Sequence, residues 1–125
     1  MSTCGVSVDS STPIIDRNHL ELLVGSNFEE SKELLDDLIA LYEEENLPHL
    51  QDLEEACKTG DTDAATRHTH FIAGSSGNMG LARLSTYCRA VESAIRDNIE
   101  PPSLAHHQTI KELYSTSVES FKTLV

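Results

Sequence analysis

Apolar residues recur every three or four positions along most of the chain, which is the spacing of amphipathic α-helices. One long stretch opens at Asn27 and carries this pattern as far as Gly60. Asn27 and Glu30 have the spacing of a capping box, which favours a helix start there. Pro48 interrupts the stretch, so we expect a kink or a restart of the helix at that point. No segment shows the alternation of apolar and polar residues that is typical of β-strands.

Four further helices are predicted, one short and three long, with expected spans of 16–25, 61–78, 81–98 and 103–124. Three of them have a residue suited to capping at their start: Asp16, Asp61 and Ser103. Long helices joined by short connections pack as a bundle. The predicted fold is therefore all-α, an antiparallel four-helix bundle with a short additional N-terminal helix. We assign residues 13–125 to this domain and residues 1–12, rich in Ser and Thr, to a flexible tail.

The charge of the chain excludes several classes of partner. Nine Lys and Arg against 21 Asp and Glu give a formal net charge of −12. Such a surface repels nucleic acid and anionic lipid, whose binding requires cationic side chains. No apolar run approaches the roughly 18–20 residues that span a bilayer, and the first residues do not resemble a signal peptide. We therefore expect a soluble, cytoplasmic monomer without nucleic-acid or membrane partners, with nuclear shuttling open if the source is eukaryotic.

A helical projection of the segment 61–78 separates two faces of different composition. The arc between about 100° and 260° from His70 is the expected core face, and it holds Ala64, Ala65, His68, Phe71, Ile72, Ser75 and Met79. Within about 60° of His70 lie Asp63, Thr66, Arg67, Ala73, Gly74 and Gly77. The projection thus predicts that His70 points away from the core, amid unusually small residues.

Gly74 and Gly77 are costly in this position, because each glycine inside a helix loses roughly 1 kcal/mol relative to alanine. One interpretation is functional: without side chains at these positions, another protein can come very close to His70. The alternative is structural: the glycines admit a neighbouring helix, and His70 is incidental. The projection by itself leaves both interpretations open.

Residues 70–80, HFIAGSSGNMG, resemble the signature of histidine-containing phosphotransfer (HPt) domains. That signature is roughly His, any residue, hydrophobic, Lys, Gly, Ser, Ser or Ala, two of any kind, hydrophobic, Gly. The similarity extends to Gly60 and Asp61 before the motif and to Leu84, Cys88 and Glu92 after it. It covers most of residues 14–98, and the final helix fits the variable closing helix of the family.

The resemblance implies a four-helix bundle that serves as a phosphorelay intermediate, without ATP binding or autokinase activity. The phosphorylated histidine of the family corresponds to His70, which would accept a phosphoryl group from a receiver-domain aspartate and pass it to another receiver aspartate. The implied partners are receiver domains of hybrid sensor histidine kinases and of response regulators. An imidazole suits this chemistry, since it is a good nucleophile near neutral pH. No cofactor is expected in this chain, because Mg²⁺ belongs to the receiver.

Ala73 departs from the family, which usually has Lys at this position. Arg67 lies one turn before His70 and about 60° around the helix, so it could supply the missing charge to the phosphoryl environment. It could equally be an ordinary solvated charge. Ala73, Gly74 and Gly77 are predicted to form the surface on which a receiver docks. Ser75 is expected to support the helix through a backbone hydrogen bond.

The remaining candidate residues favour structural roles. His68 is expected to be a hydrogen-bonded packing residue, and Cys88 a buried residue at a helix interface. No metal site is predicted, because the other histidines lack ligand spacing on one helical face; they are His19, His49, His106 and His107. The alternative function is a non-catalytic adaptor that binds receivers without relaying phosphate. A dimeric kinase core is disfavoured, because no nucleotide-binding motif follows the histidine.

Overall fold

The computed structural model describes residues 5–125, and this range contains five α-helices and no β-strand. The helices are α1 (Arg17–Val24), α2 (Lys32–Thr59), α3 (Thr62–Asn78), α4 (Ala82–Arg96) and α5 (Leu104–Lys122). Both α3 and α5 pack against α2 and α4, so α3 and α5 occupy opposite corners of a four-helix bundle. The predicted fold, including the short first helix, is confirmed. None of these five helices is long and apolar enough to cross a membrane.

The helix ends follow their local sequence signals in most places. Carboxylate oxygens of Asp16 and Asp61 accept hydrogen bonds from backbone N–H groups three residues on, at 3.1 and 3.0 Å. Gly60 ends α2 in the left-handed conformation, with φ of 73°, which a side chain would strain. Gly80 also has positive φ, and the backbone oxygen of Asp16 lies 3.2 Å from the position a Cβ would take there. The short helix α1 therefore seats against the turn between α3 and α4.

The start and the middle of α2 differ from the prediction. The side chain of Asn27 does accept a hydrogen bond from the Glu30 N–H, at 3.3 Å. This bond closes a turn, however, and α2 begins only at Lys32. The helix then continues through Pro48 without a restart. Its buried face holds the core on both sides of the proline, from Leu35 to Cys57, which explains why one missing backbone donor is tolerated.

The buried face of α3 is rotated relative to the predicted one. The buried residues of α3 are Ala65, Thr69, Ile72, Ala73 and Ser76. Their centre lies about 240° from His70, whereas the predicted arc was centred at about 180°. Two predictions are therefore wrong: Ala73 is buried, and Phe71 is 38% exposed. The cause is close packing against α4, where small residues of α3 admit the side chain of Ser85.

Residues 5–12 contain no helix but lie against the bundle. Arg83 donates hydrogen bonds to the backbone oxygens of Thr12 and Ser10, at 2.8 and 3.0 Å. The N–H of Gly5 donates to the carboxylate of Glu100 at 2.7 Å. The described part of the predicted flexible tail is thus attached by side chains of α4 and of the α4–α5 connection. The prediction for residues 1–4 falls outside the described residues.

Candidate functional site around His70

His70 lies in the middle of α3, with its side chain 68% exposed and one ring nitrogen bound to the protein. Its Nδ1 is 2.8 Å from Oε2 of Glu92, a residue of α4 whose side chain is only 11% exposed. A carboxylate can only accept, so Nδ1 carries the proton and donates it. This tautomer leaves Nε2 with a free lone pair. The ring is thus oriented by Glu92, and its nucleophilic nitrogen is the one that the protein does not use.

Glu92 is part of the family resemblance, but sequence reasoning assigned it no role at the site. It lies on the flank of the apolar face of α4, next to the buried Val91 and four residues before the exposed Arg96. A nearly buried carboxylate needs a partner, and Glu92 has two: the His70 ring and Arg96, whose Nη1 lies 3.6 Å from Oε2. The position of this acid beside the apolar face of α4 was the signal in the sequence that could have indicated a buried carboxylate with a partner. Its partner could be named only once the alignment of α3 with α4 was known.

A shallow cleft of about 300 Å³ surrounds this pair of side chains. It is lined by Thr62, Asp63, Thr66, Arg67, His70, Glu92 and Arg96. The structure therefore brings Arg67 to the same cleft as His70, as the projection predicted. It also adds a second cation, Arg96, from the neighbouring helix. Arg67 is consequently not the only positive charge available to a group on His70.

The two glycines of α3 have different surroundings. A Cβ added at Gly74 would have no other atom within 4 Å, so the surface beside His70 is open there. A Cβ added at Gly77 would lie 3.1 Å from Oγ of Ser85. The same Oγ donates a hydrogen bond of 2.8 Å to the backbone oxygen of Ala73. Gly74 thus fits the functional interpretation, whereas Gly77 and Ala73 form the seam that admits α4. Ala73 is not available as a docking residue.

Family comparison agrees with this geometry. A family model for the Hpt domain matches residues 28–119. The chain belongs to the Hpt domain family. A crystal structure of histidine-containing phosphotransfer protein B (HptB) from Pseudomonas aeruginosa PAO1 is similar to it, with a TM-score of 0.69 and 27% sequence identity. The similarity covers 88% of this chain and 92% of that one. A search of curated proteins gave no significant match.

Membership of the family fixes the general activity. The chain is an Hpt phosphotransfer protein of phosphorelays. Hpt proteins are in general phosphoryl intermediates without kinase activity of their own, and they interact with receiver domains.

The inner face of α3 in this Hpt domain is tied to α2 by side-chain hydrogen bonds. Oγ of Ser75 accepts a hydrogen bond from the amide of Asn46 at 2.9 Å, and the hydroxyls of Ser76 and Tyr42 are 2.6 Å apart. Burial raises the pKa of Tyr42, so its hydroxyl stays protonated. Ser75 therefore supports α3 through a side chain of α2, and the predicted backbone bond is not the one it makes.

His68 is half-buried and hydrogen-bonded, as predicted. Its Nδ1 lies 2.9 Å from Nδ1 of His49, so one ring donates and the other accepts. The His49 ring stacks on Phe71 with centroids 3.9 Å apart. Burial, followed by the nearby His49, lowers the pKa of His68. Packing with His49 explains why an aromatic residue at position 71 remains on the surface beside α2.

The other histidines each have a structural partner. Nε2 of His19 bonds the backbone oxygen of Asn78, and Nε2 of His107 bonds that of Leu50. His106 pairs with Glu100 and accepts a hydrogen bond from the Ser103 N–H at the start of α5. Across residues 5–125, no three His, Cys, Asp or Glu side chains are arranged to hold a metal ion.

Both described cysteines are buried and free. Burial raises the pKa of Cys57 to about 11 and also raises that of Cys88. Neither thiol is therefore ionised near neutral pH. The prediction that Cys88 packs at a helix interface is confirmed.

A groove between α2 and α3 adjoins the open surface at Gly74. We call it the α2–α3 groove; its lining residues are Leu38, Leu41, Tyr42, Glu45, Ser75, Asn78 and Met79. Leu41 is 52% exposed, and Phe71 lies on the same side of α3. With a rise of 1.5 Å per residue, Ser75 and Asn78 are about 8 and 12 Å along the helix from His70. The α2–α3 groove thus begins about 8 Å along α3 from His70.

Proposed function

We propose that Nε2 of His70 accepts a phosphoryl group from the aspartyl phosphate of one receiver domain and passes it to the aspartate of another. The observation that carries this proposal is the 2.8 Å hydrogen bond from Nδ1 of His70 to Glu92. It fixes the tautomer in which the exposed ring can attack, in a chain that belongs to the Hpt family. Glu92 acts here as a positioning residue.

The chemical step balances with these groups alone. The lone pair of Nε2 forms a bond to phosphorus, and the bond from phosphorus to the aspartate oxygen breaks with its electron pair. The receiver aspartate leaves as a carboxylate, and the imidazole of His70 becomes a phosphorylated cation that keeps its proton on Nδ1. Glu92 then faces a positively charged ring, an interaction stronger than its bond to the neutral ring. The reverse step returns the phosphoryl group to an aspartate.

The transferred group brings close to two negative charges to a protein of net charge −12. Arg67 and Arg96 line the cleft at His70 and are both exposed. We propose that they offset this charge in place of the family lysine. Arg96 can exchange its 3.6 Å contact with Glu92 for the phosphoryl oxygens on His70, because all three side chains line one cleft.

The open surface at Gly74 supports docking by a receiver. In-line attack requires phosphorus to come within about 3–3.5 Å of Nε2, so the receiver backbone must approach α3 closely. A side chain at position 74 would stand in this path, and the structure leaves that space empty. The exposed Leu41 and Phe71 supply the apolar contact that such an encounter needs.

We further propose that this chain has no autokinase activity, acts as a cytoplasmic monomer and needs no cofactor of its own. The acidic groups that hold Mg²⁺ in the transfer step would then come from the receiver. This division of labour is supported by the cleft at His70, whose carboxylates are Asp63 and Glu92, and by the fact that Glu92 is already bound to the ring.

The test uses a panel of receiver domains from the source organism, each phosphorylated with acetyl phosphate and mixed with the protein. We expect acid-labile phosphate on the unaltered chain and none on His70→Gln, while His68→Gln, the matched control on the same helix, is labelled normally. Circular dichroism checks that both variants fold. Labelling that is lost in His68→Gln but kept in His70→Gln would refute the assignment. Binding of receivers without any transfer would instead identify an adaptor.

A further inference from the structure

The acidic residues of α2 fall into two groups that face different neighbours. From residue 32 to 59 the helix carries nine Asp and Glu against two Lys. On the side facing α5, three of these acids are paired: Asp36 with Lys32, Glu54 with Lys58, and Glu43 with Lys122. The side facing α3 contrasts with this arrangement. A projection at 100° per residue places Glu45 and Asp52 within about 30° of the side that faces α3. Asp37, Glu44 and Glu55 lie on the adjoining solvent-exposed face, within about 110° of the same direction, and no Lys lies in this arc. Glu33 lies outside both groups.

None of these five acids pairs with a Lys or Arg within residues 5–125. Glu45 lines the α2–α3 groove itself, beside Leu38 and Leu41. Cations are more frequent on the His70 side, where α3 and α4 present Arg67, Arg89 and Arg96 against Asp63 and Glu92. The fourth arginine of these helices, Arg83, is bound to residues 10 and 12 instead. The charge around His70 is therefore uneven: three arginines against two acids beside the imidazole, and five acids without a cation along α2.

A partner that reaches His70 must cover part of both regions. A weak, transient interface of about 600 Å² on each protein is equivalent to a disc of roughly 14 Å radius. The α2–α3 groove lies within about 8–12 Å of His70 along α3. The exposed apolar side chains Leu41 and Phe71 are on this side. The exposed part of α4 nearest to His70 offers Arg89 and Arg96 instead.

From this charge pattern we infer that the protein selects receiver domains that carry a basic, partly apolar surface beside their phosphorylated aspartate. This inference rests on the proposed function and adds the chemistry of the partner. The receiver's acidic site would meet the arginines at His70, while its Lys and Arg side chains would meet the unpaired acids of α2. Arginines beside the imidazole and unpaired acids along α2 favour one docking orientation, and these acids repel receivers whose surface there is acidic.

The experiment measures phosphotransfer from the fastest receiver of the panel to three forms of the protein. Asp37→Lys/Glu45→Lys reverses two of these unpaired acids, one in the α2–α3 groove and one on the adjoining exposed face of α2. The matched control, Glu112→Lys/Glu119→Lys, makes the same change of +4 in net charge at exposed positions of α5, away from α3. At about 50 mM NaCl we expect the first variant to be slower by fivefold or more and the control to stay within twofold. At about 300 mM NaCl the difference should shrink, because screening shortens the range of these charges.

Three results would overturn the inference: equal slowing in both variants, no slowing in either, or faster transfer to Asp37→Lys/Glu45→Lys. Labelling of His70 by phosphoramidate, a small donor that needs no docking surface, should be unchanged in all three forms and shows that the site is intact. A panel in which no receiver phosphorylates the unaltered protein would overturn the proposed function itself. The two failures are thus distinguishable.

Discussion

Alanine at Gly74 and alanine at Gly77 should change the stability of the bundle in different ways, although the positions are three residues apart in one helix. At Gly74 the new methyl group meets no atom within 4 Å. The variant should therefore realise most of the helix-propensity difference between glycine and alanine, a gain of about 0.5–1 kcal/mol in the free energy of unfolding.

At Gly77 the same gain is opposed by crowding. The new Cβ would lie 3.1 Å from Oγ of Ser85, and this oxygen is held by its 2.8 Å hydrogen bond to the backbone of Ala73. Moving it sacrifices a buried hydrogen bond worth about 0.5–1.5 kcal/mol and adds overpacking strain. We expect no net gain, or a loss of up to about 1 kcal/mol. The two variants should thus differ by about 0.5–2 kcal/mol.

Urea unfolding followed by circular dichroism at 222 nm measures this difference, with the slope against urea unchanged. The control is the Ser85→Ala background, in which the nearest atoms to the new methyl group are Nη2 of Arg89 at 3.7 Å and the Cβ of residue 85 at 3.8 Å. There Gly77→Ala should become stabilising, with a coupling energy of about 1 kcal/mol or more. Equal stabilisation by both alanines in the unaltered background, or no rescue by Ser85→Ala, would refute the packing argument.

Three further outcomes are expected. Glu92→Gln keeps an acceptor for Nδ1 of His70 but removes the charge facing the phosphorylated ring. A charged hydrogen bond is stronger than a neutral one by about 1.4 kcal/mol, so the rate of phosphotransfer measured by quenched flow should fall about tenfold. A rate within twofold of the original would contradict this. Arg67→Ala and Arg96→Ala should each slow transfer by roughly tenfold in the same assay, and unchanged rates in both would mean that the receiver supplies the cation. Burial lowers the pKa of His68, so below about pH 6.5 the unfolded chain binds more protons than the folded one, and stability declines as the pH falls. His68→Gln should therefore make the urea midpoint depend less on pH between pH 7 and 5. An unchanged pH dependence would assign the decline to other groups.

Helix existence and most helix ends could be predicted because they depend on neighbours in sequence. Asp16, Asp61 and Gly60 act within one turn of themselves, and the structure has each of them in its predicted role. The predicted helix start at Asn27 was wrong because the same hydrogen bond to Glu30 can close a turn that precedes the helix. The predicted interruption at Pro48 was wrong because buried side chains before and after the proline stabilise one continuous helix.

The orientation of α3 could not be predicted from its own periodicity. Small and weakly polar residues such as Thr69, Ala73 and Ser76 fit a core or a surface equally well. Their burial is decided by α4, which approaches where Ala73 and Gly77 leave room for Ser85. This turned Phe71 outward and Ala73 inward, and it changed which of the small residues can face a partner.

The motif located His70, and the structure supplied what surrounds it. Glu92 is 22 positions away along the chain, so its bond to the imidazole depends on how α3 and α4 align. The same alignment brings Arg96 into the cleft. A site assembled from charged side chains of two helices has no local signal in the sequence of either helix.

The central claim is that the phosphoryl group is carried on Nε2 of His70, with Nδ1 held by Glu92. Nuclear magnetic resonance of the protein with ¹⁵N-labelled histidine, recorded before and after phosphorylation by a receiver domain, tests it most directly. We expect one phosphorylated imidazole, that of His70, with ³¹P coupling to Nε2 and a proton retained on Nδ1. Coupling to Nδ1, or to a ring nitrogen of any other histidine, would contradict the account.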